Sequence, residues 1–148
     1  MKVIAGFALG VLLCVPVIGS EKKVKMEDLP PAVQKAAKEQ IKTATLVGVT
    51  KEVEKGKTLY EIETKENGKA RDLTLDSTGA VVTVEQEVDL DSIPAPAKAA
   101  IQKKAVGAKI TKVETVTTGS QVFYEAIVTK NGKDSEVKFN ADGTPHKE

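Results

Sequence analysis

Tryptophan is absent from this chain, and it has one cysteine, one histidine, two tyrosines and three phenylalanines in 148 residues. Each shortage closes a class of function. Cys14 lies in an apolar N-terminal stretch, so beyond it there is no thiol to bridge or to ligate a metal. His146 is the only imidazole. A zinc or other transition-metal centre therefore lacks ligands. Ser–His nucleophilic catalysis fails on the same count, because His146 sits near the end of the sequence with no fixed supporting group in view. Arg71 is the single arginine, and 22 basic side chains face 21 acidic ones. A nucleic-acid binder needs a clustered positive field and arginine forks. Neither is present. No glycine-rich phosphate loop follows a strand pattern. Asp76-Ser77-Thr78-Gly79 and Asn140-Ala141-Asp142-Gly143 fall short of the ligand count of a calcium loop.

The first twenty residues, MKVIAGFALGVLLCVPVIGS, read as a signal peptide. Lys2 gives the basic start, Val3 to Val15 the apolar run, and Val17-Ile18-Gly19 a tolerated cleavage pattern. A membrane anchor needs roughly 18 or more uninterrupted apolar residues, and Pro16 interrupts this one. Lipid attachment at Cys14 wants a small residue before it, and Leu13 is bulky. The expectation is a periplasmic or secreted protein with no stable membrane anchor once residues 1–20 are removed. Lys2 and Cys14 leave with that segment, so the charges balance and no disulfide can help. The remainder must be held by its apolar core alone.

The rest of the sequence matches itself when Tyr60 is laid over Tyr124. Leu29-Pro30 then falls on Ile93-Pro94, Tyr60-Glu61 on Tyr124-Glu125, and Asn67-Gly68-Lys69 on Asn131-Gly132-Lys133. Leu73, Leu75 and Gly79 meet Val137, Phe139 and Gly143 with no gap. This predicts a tandem duplication, with a first unit over 21–88 and a second over 89–148.

Periodicity gives each unit the same shape. Val33, Ala36, Ala37, Ile41 and Ala44 are spaced as one helical face, and Ala97, Ala100, Ile101, Ala105 and Ala108 copy that spacing. Pro30-Pro31 and Pro94 mark the helix starts. Leu29 and Ile93, held extended by the following proline, should fold back as apolar staples. The period then switches to two: Tyr60 and Ile62 share one strand face, Leu59, Glu61 and Glu63 the other. Asn67-Gly68 and Asn131-Gly132 are hairpin signals. The expected fold class is α+β: two tandem repeats, each a helix packed on an antiparallel β-meander of three to four strands. A unit this small is marginal alone, so the two should share an interface or a continuous sheet. The second has little chain for a fourth strand, leaving its sheet one strand short or completed by a partner.

The series Leu/Ile-Pro, alanines, Val, Tyr-Glu, Gly-Lys, then an Asp/Asn turn closing on Gly resembles the PepSY-like domains. These are grouped with the beta-lactamase-inhibitor-like fold of bacterial envelope and secreted proteins. The resemblance covers about residues 26–79 and 90–143, through turn and packing signals. It implies a small non-catalytic module that binds or restrains an envelope or secreted protein, peptidases among them. It carries no set of active residues.

The residues themselves name few candidates. Glu61 and Glu63 share a strand face, the arrangement an acid–base pair would need. The second unit has Glu125 with Ile127 there instead, so a solvated face is the better expectation. Glu85, Glu87, Asp89 and Asp91 read likewise as an exposed strand side. If Tyr60, Ile62, Leu73 and Leu75 face the helix, then Leu59, Phe123 and Ile127 point away from it. These three are the binding candidates, since exposed apolar groups mark contacts. Packing between the two units is the alternative use for that face, and a one-residue slip would exchange the faces. The sequence thus predicts an exported protein-binding or inhibitory module that is not an enzyme, with no catalytic residue, metal or cofactor. The alternative is a periplasmic small-ligand or cation-binding protein using the acidic face.

Overall fold

The computed structural model describes residues 20–54 and 56–147. The expected signal peptide lies outside the described residues, apart from Ser20. Eight strands follow one another as a meander: β1 (Ser20–Lys23), β2 (Thr45–Glu54), β3 (Lys57–Glu66), β4 (Lys69–Asp76), β5 (Val81–Glu87), β6 (Lys109–Thr118), β7 (Gln121–Lys130) and β8 (Lys133–Phe139). They form one antiparallel sheet in sequence order. Helix α1 (Pro31–Ile41) enters between β1 and β2, and α2 (Ala95–Lys104) between β5 and β6.

This corrects the expected fold class. The chain is not two tandem helix-on-meander units but one domain on one sheet. The junction that overturns it is β5 with β6, where Thr83–Glu87 pair antiparallel with Thr118–Glu114. An open strand edge leaves a row of unmet N–H and C=O groups. Pairing β5 with β6 satisfies that row inside the molecule and makes the continuous sheet that was one of the two expected ways to join the units. β1 is also new, since its sequence SEKK has no apolar alternation; it is held by pairing with β2 from Ser20↔Val53 to Lys23↔Thr50.

Local chemistry explains the elements that the sequence did foretell. Leu29 and Ile93 are extended, at φ −74°, ψ 154° and φ −87°, ψ 161°, and each is buried beside the helix that follows it. Asn67 and Gly68 at φ 52° and 82°, like Asn131 and Gly132 at 53° and 74°, make the left-handed two-residue turns that close β3–β4 and β7–β8. Gly79 and Gly143 are required twice over: φ is 86° and 82°. A Cβ on either would lie 2.7 Å from a helix carbonyl, that of Ala32 or of Pro96. The turns after β4 and β8 thereby press against the first turns of α1 and α2.

Both helices lie on the same face of the sheet. Under α1, Val33 and Ala37 meet Val49, Tyr60, Ile62, Leu73 and Leu75; under α2, Ala97 and Ile101 meet Val113, Ala126 and Phe139. These are two separate apolar clusters rather than one. Between them the helix-side pairs of β5 and β6 are Val84↔Thr117 and Gln86↔Thr115, which bury little apolar surface. Among the described residues no helix is long and apolar enough to cross a membrane.

Candidate functional site: the helix-free sheet face

Strand alternation that sends Ile62, Leu73 and Leu75 to the helices sends their neighbours to the opposite face, which carries no helix among the described residues. Register then sets those neighbours side by side. One lateral row runs Glu63↔Asp72↔Glu85↔Val116↔Phe123 across β3 to β7. The next runs Glu87↔Glu114↔Glu125↔Lys138 across β5 to β8. Like charges directly opposite one another on a sheet are destabilising, and here they recur along both rows. Asp72, Glu114 and Glu125 are nevertheless buried, Glu114 to 1% exposure.

Burial sets their electrostatics. Glu61 is pushed up to about 8, first by loss of water and then by Glu63, Asp72, Glu52 and Glu85. Glu85 is pushed up to about 7 by burial, then by Glu114, Glu125 and Asp72. Burial likewise raises Asp72, against the Thr64 N–H that donates to its Oδ1 at 3.1 Å and against Lys112. Burial raises Glu125, with Glu136 adding to it and Lys138, 3.6 Å away, opposing it. At the centre, Lys112 Nζ lies 2.6 Å from Glu114 Oε1. That oxygen makes an ion pair without the alignment of a hydrogen bond. Burial depresses Lys112, but Glu114, Asp72 and Glu85 outweigh it and leave the ammonium above its ordinary range.

Asp72, Glu85 and Glu114 bring carboxylate oxygens within 4.8 Å of one another. Oxygen donors of that kind suit a hard divalent cation. Lys112 already places one positive charge beside Glu114, which offsets part of the cluster's charge, and the cluster is not read as a metal centre.

The apolar candidates from the sequence share this face but not one spot. Leu59 on β3 is half-buried opposite Asp76, with β4, β5 and β6 between it and the others. Phe123 and Ile127 on β7 flank Glu125. Ile127 is half-buried opposite Lys112 and Glu136. Phe123 is 7% exposed because the His146 ring stacks on it, with centroids 3.8 Å apart. His146 is therefore not the loose terminal side chain expected. Its Nδ1 lies 2.9 Å from Asn140 Oδ1, and its backbone N–H donates to the Lys138 carbonyl at 3.0 Å. Pro145 bridges Phe139, so the segment after β8 lies against that strand's outer side.

The solvated reading of Glu61 and Glu85 is corrected too, since both are half-buried among other acids. Asp72, Lys112, Glu114 and Glu125 carry no motif that marks them in the sequence. Each alternates with a helix-facing neighbour, which was the available signal. Their convergence depends on a register that the local sequence does not state.

No protein-family model matches the chain, and no curated protein matches it. Solved structures do share its shape. The fold is beta-lactamase-inhibitor-like: a protein of Bacteroides fragilis described as BLIP-like superposes with a TM-score of 0.57 at 15% identity, over 80% of this chain and 84% of that one. A protein of the DUF2874 family from Bacteroides uniformis superposes at 0.62 with 20% identity, over 80% of this chain and 86% of that one. A Bacteroides eggerthii protein provisionally assigned to the periplasm does so at 0.65 with 20% identity, over the same shares, 80% and 86%. Identities this low establish a common fold.

Proposed function

We propose that this is an exported, non-catalytic protein-binding or inhibitory module of PepSY-like kind, which receives its partner on the helix-free face. It works in the periplasm or outside the cell, and its partner is an envelope or secreted protein. The carrying observation is the pair of carboxylate rows on that face. A sheet selected only for stability would set opposite charges or apolar side chains at Asp72, Glu85, Glu114 and Glu125. Stability is given up where a surface serves something else. Leu59 and Ile127, half-buried at separate places on the face, offer apolar contact around the acids. The fold's likeness to a BLIP-like protein supports a binding role, and the sequence resemblance adds peptidases as a partner class.

The test is capture from envelope and culture-supernatant proteins, with purified peptidases as one arm. The bait is wild type, a face variant carrying Glu63→Lys and Ile127→Asp, and a control carrying Lys35→Glu on the outer side of α1. The expected result is a protein held by wild type and control and lost from the face variant, with melting temperatures confirming that all three fold. A captured protein indifferent to the face variant, or none at all, overturns the reading.

A further inference from the structure

We propose that the junction between the two halves is a pH-responsive seam: the β5–β6 ladder loosens as solution passes from mildly acidic to mildly alkaline, because the carboxylates stacked across it cannot all be ionised together. This goes beyond the binding role and does not depend on it.

Geometry makes this junction the weak line of the sheet. β5 and β6 pair over five residues, Thr83–Glu87, as β4 and β5 do, whereas β2 with β3 and β6 with β7 each pair over nine; β4–β5 differs in carrying Leu73 and Leu75 of the α1 cluster. On the helix side the seam has Val84↔Thr117 and Gln86↔Thr115 and falls between the two apolar clusters. Its side-chain bonds include the Thr83–Thr118 hydroxyl contact of 3.2 Å at one end. On the helix-free side Glu87 stands directly opposite Glu114, and Glu85 is flanked by Asp72. Three carboxylates within 4.8 Å share one close ammonium, Lys112. Carboxylates sharing so small a site keep a proton among them until the solution is alkaline enough to remove it.

The groups facing Glu85 agree in sign. β4 contributes Asp72, β6 Glu114 and β7 Glu125, with Lys112 alone opposing them. β5 adds Glu87, whose Oε2 accepts from the Ala70 N–H at 2.9 Å. Farther out, Glu52, Glu61 and Glu63 lie on β2 and β3, while on β8 Lys138 answers Glu125 beside Glu136. Lys69, the first residue of β4, is engaged by Asp89 at 2.7 Å. At mildly acidic pH a retained proton and Lys112 together cut the net charge of Asp72, Glu85 and Glu114 from three negative to one. Once that proton is gone, like charges lie on both sides of a short ladder that falls between the two apolar clusters. Burial already pushes Glu85 up to about 7, so the change falls across neutrality.

Amide hydrogen exchange on the full chain tests this, expressed as protection factors so that the intrinsic effect of pH cancels. From about pH 5.5 to about pH 8.5, protection of the amides bonded across Thr83–Glu87 and Glu114–Thr118 should fall by on the order of tenfold or more. In Glu85→Gln, which keeps the side chain's size and cannot ionise, most of that fall should vanish; Asp72→Asn, which can still accept from the Thr64 N–H, provides the same test from β4. Seam protection unchanged with pH in the wild type overturns the proposal. So does a fall that persists undiminished in both variants.

Discussion

Ile62, Leu73 and Leu75 on one side of the sheet meet α1 and are wholly buried; Glu61, Asp72 and Thr74, alternating with them, face the other way, where no helix lies among the described residues. The two faces are made by the same strands and obey opposite rules. On the helix side burial follows apolar character and the interior is ordinary. On the other side acids are buried against each other, and neighbouring lysines only partly offset them. One strand can satisfy a core and carry a costly surface because alternation separates the two by a single residue. The lesson is that the fold draws its stability from one face and is free to specialise the other.

Several substitutions break or sharpen that contrast. The largest effect belongs to the helix side: Leu73→Ala should cost about 2–5 kcal/mol, read by urea unfolding. A loss well under 1 kcal/mol would mean that the α1 cluster is not the core. On the acidic side, Lys112→Met removes the ammonium from a pair whose side chains are 10% and 2% exposed. It should cost about 3 kcal/mol in alkaline solution, and changing Glu114→Leu in the same chain should recover much of this, because an apolar pair replaces a buried ion pair at little cost. If the double variant is no better than the single, the carboxylates do not depend on Lys112. Gly143→Ala should cost about 1–3 kcal/mol, since a Cβ at φ 82° would meet the Pro96 carbonyl at 2.7 Å. An unchanged melting temperature would show that the turn does not press on α2.

The smallest effect is one of slope. Unfolded Glu61 gives up its proton near 4.5, while folded Glu61 keeps it to about 8. Between those values the folded state holds more protons, so this group's contribution is full in acid and is lost as pH rises towards about 8. Glu61→Gln should flatten that decline in a series of melting temperatures against pH. A decline of unaltered steepness would place the linked proton elsewhere.

What could be read from the sequence was local. Leu29-Pro30 and Ile93-Pro94 announce helix entry, Asn67-Gly68 and Asn131-Gly132 announce hairpins, and the alternation of Tyr60 to Glu63 separates the faces. Each depends on neighbours a few residues apart. The small size of each unit called for a shared interface or a continuous sheet, but self-similarity of sequence does not say which, so the β5–β6 ladder itself was not legible. The acid cluster was hidden for a related reason. Asp72, Glu85, Glu114 and Glu125 come from four strands, and only the accumulated register brings them level. His146, near the end of the sequence, read as idle because its partners Phe123 and Asn140 sit on β7 and just after β8.

Carboxyl-carbon NMR titration of the intact protein, with Glu61→Gln and Glu85→Gln to assign the signals, addresses the helix-free face most directly. The account predicts that Glu61 titrates near 8 and Glu85 near 7. If both instead titrate near 4.5, as free glutamates do, the face is an ordinary solvated surface and the account is wrong.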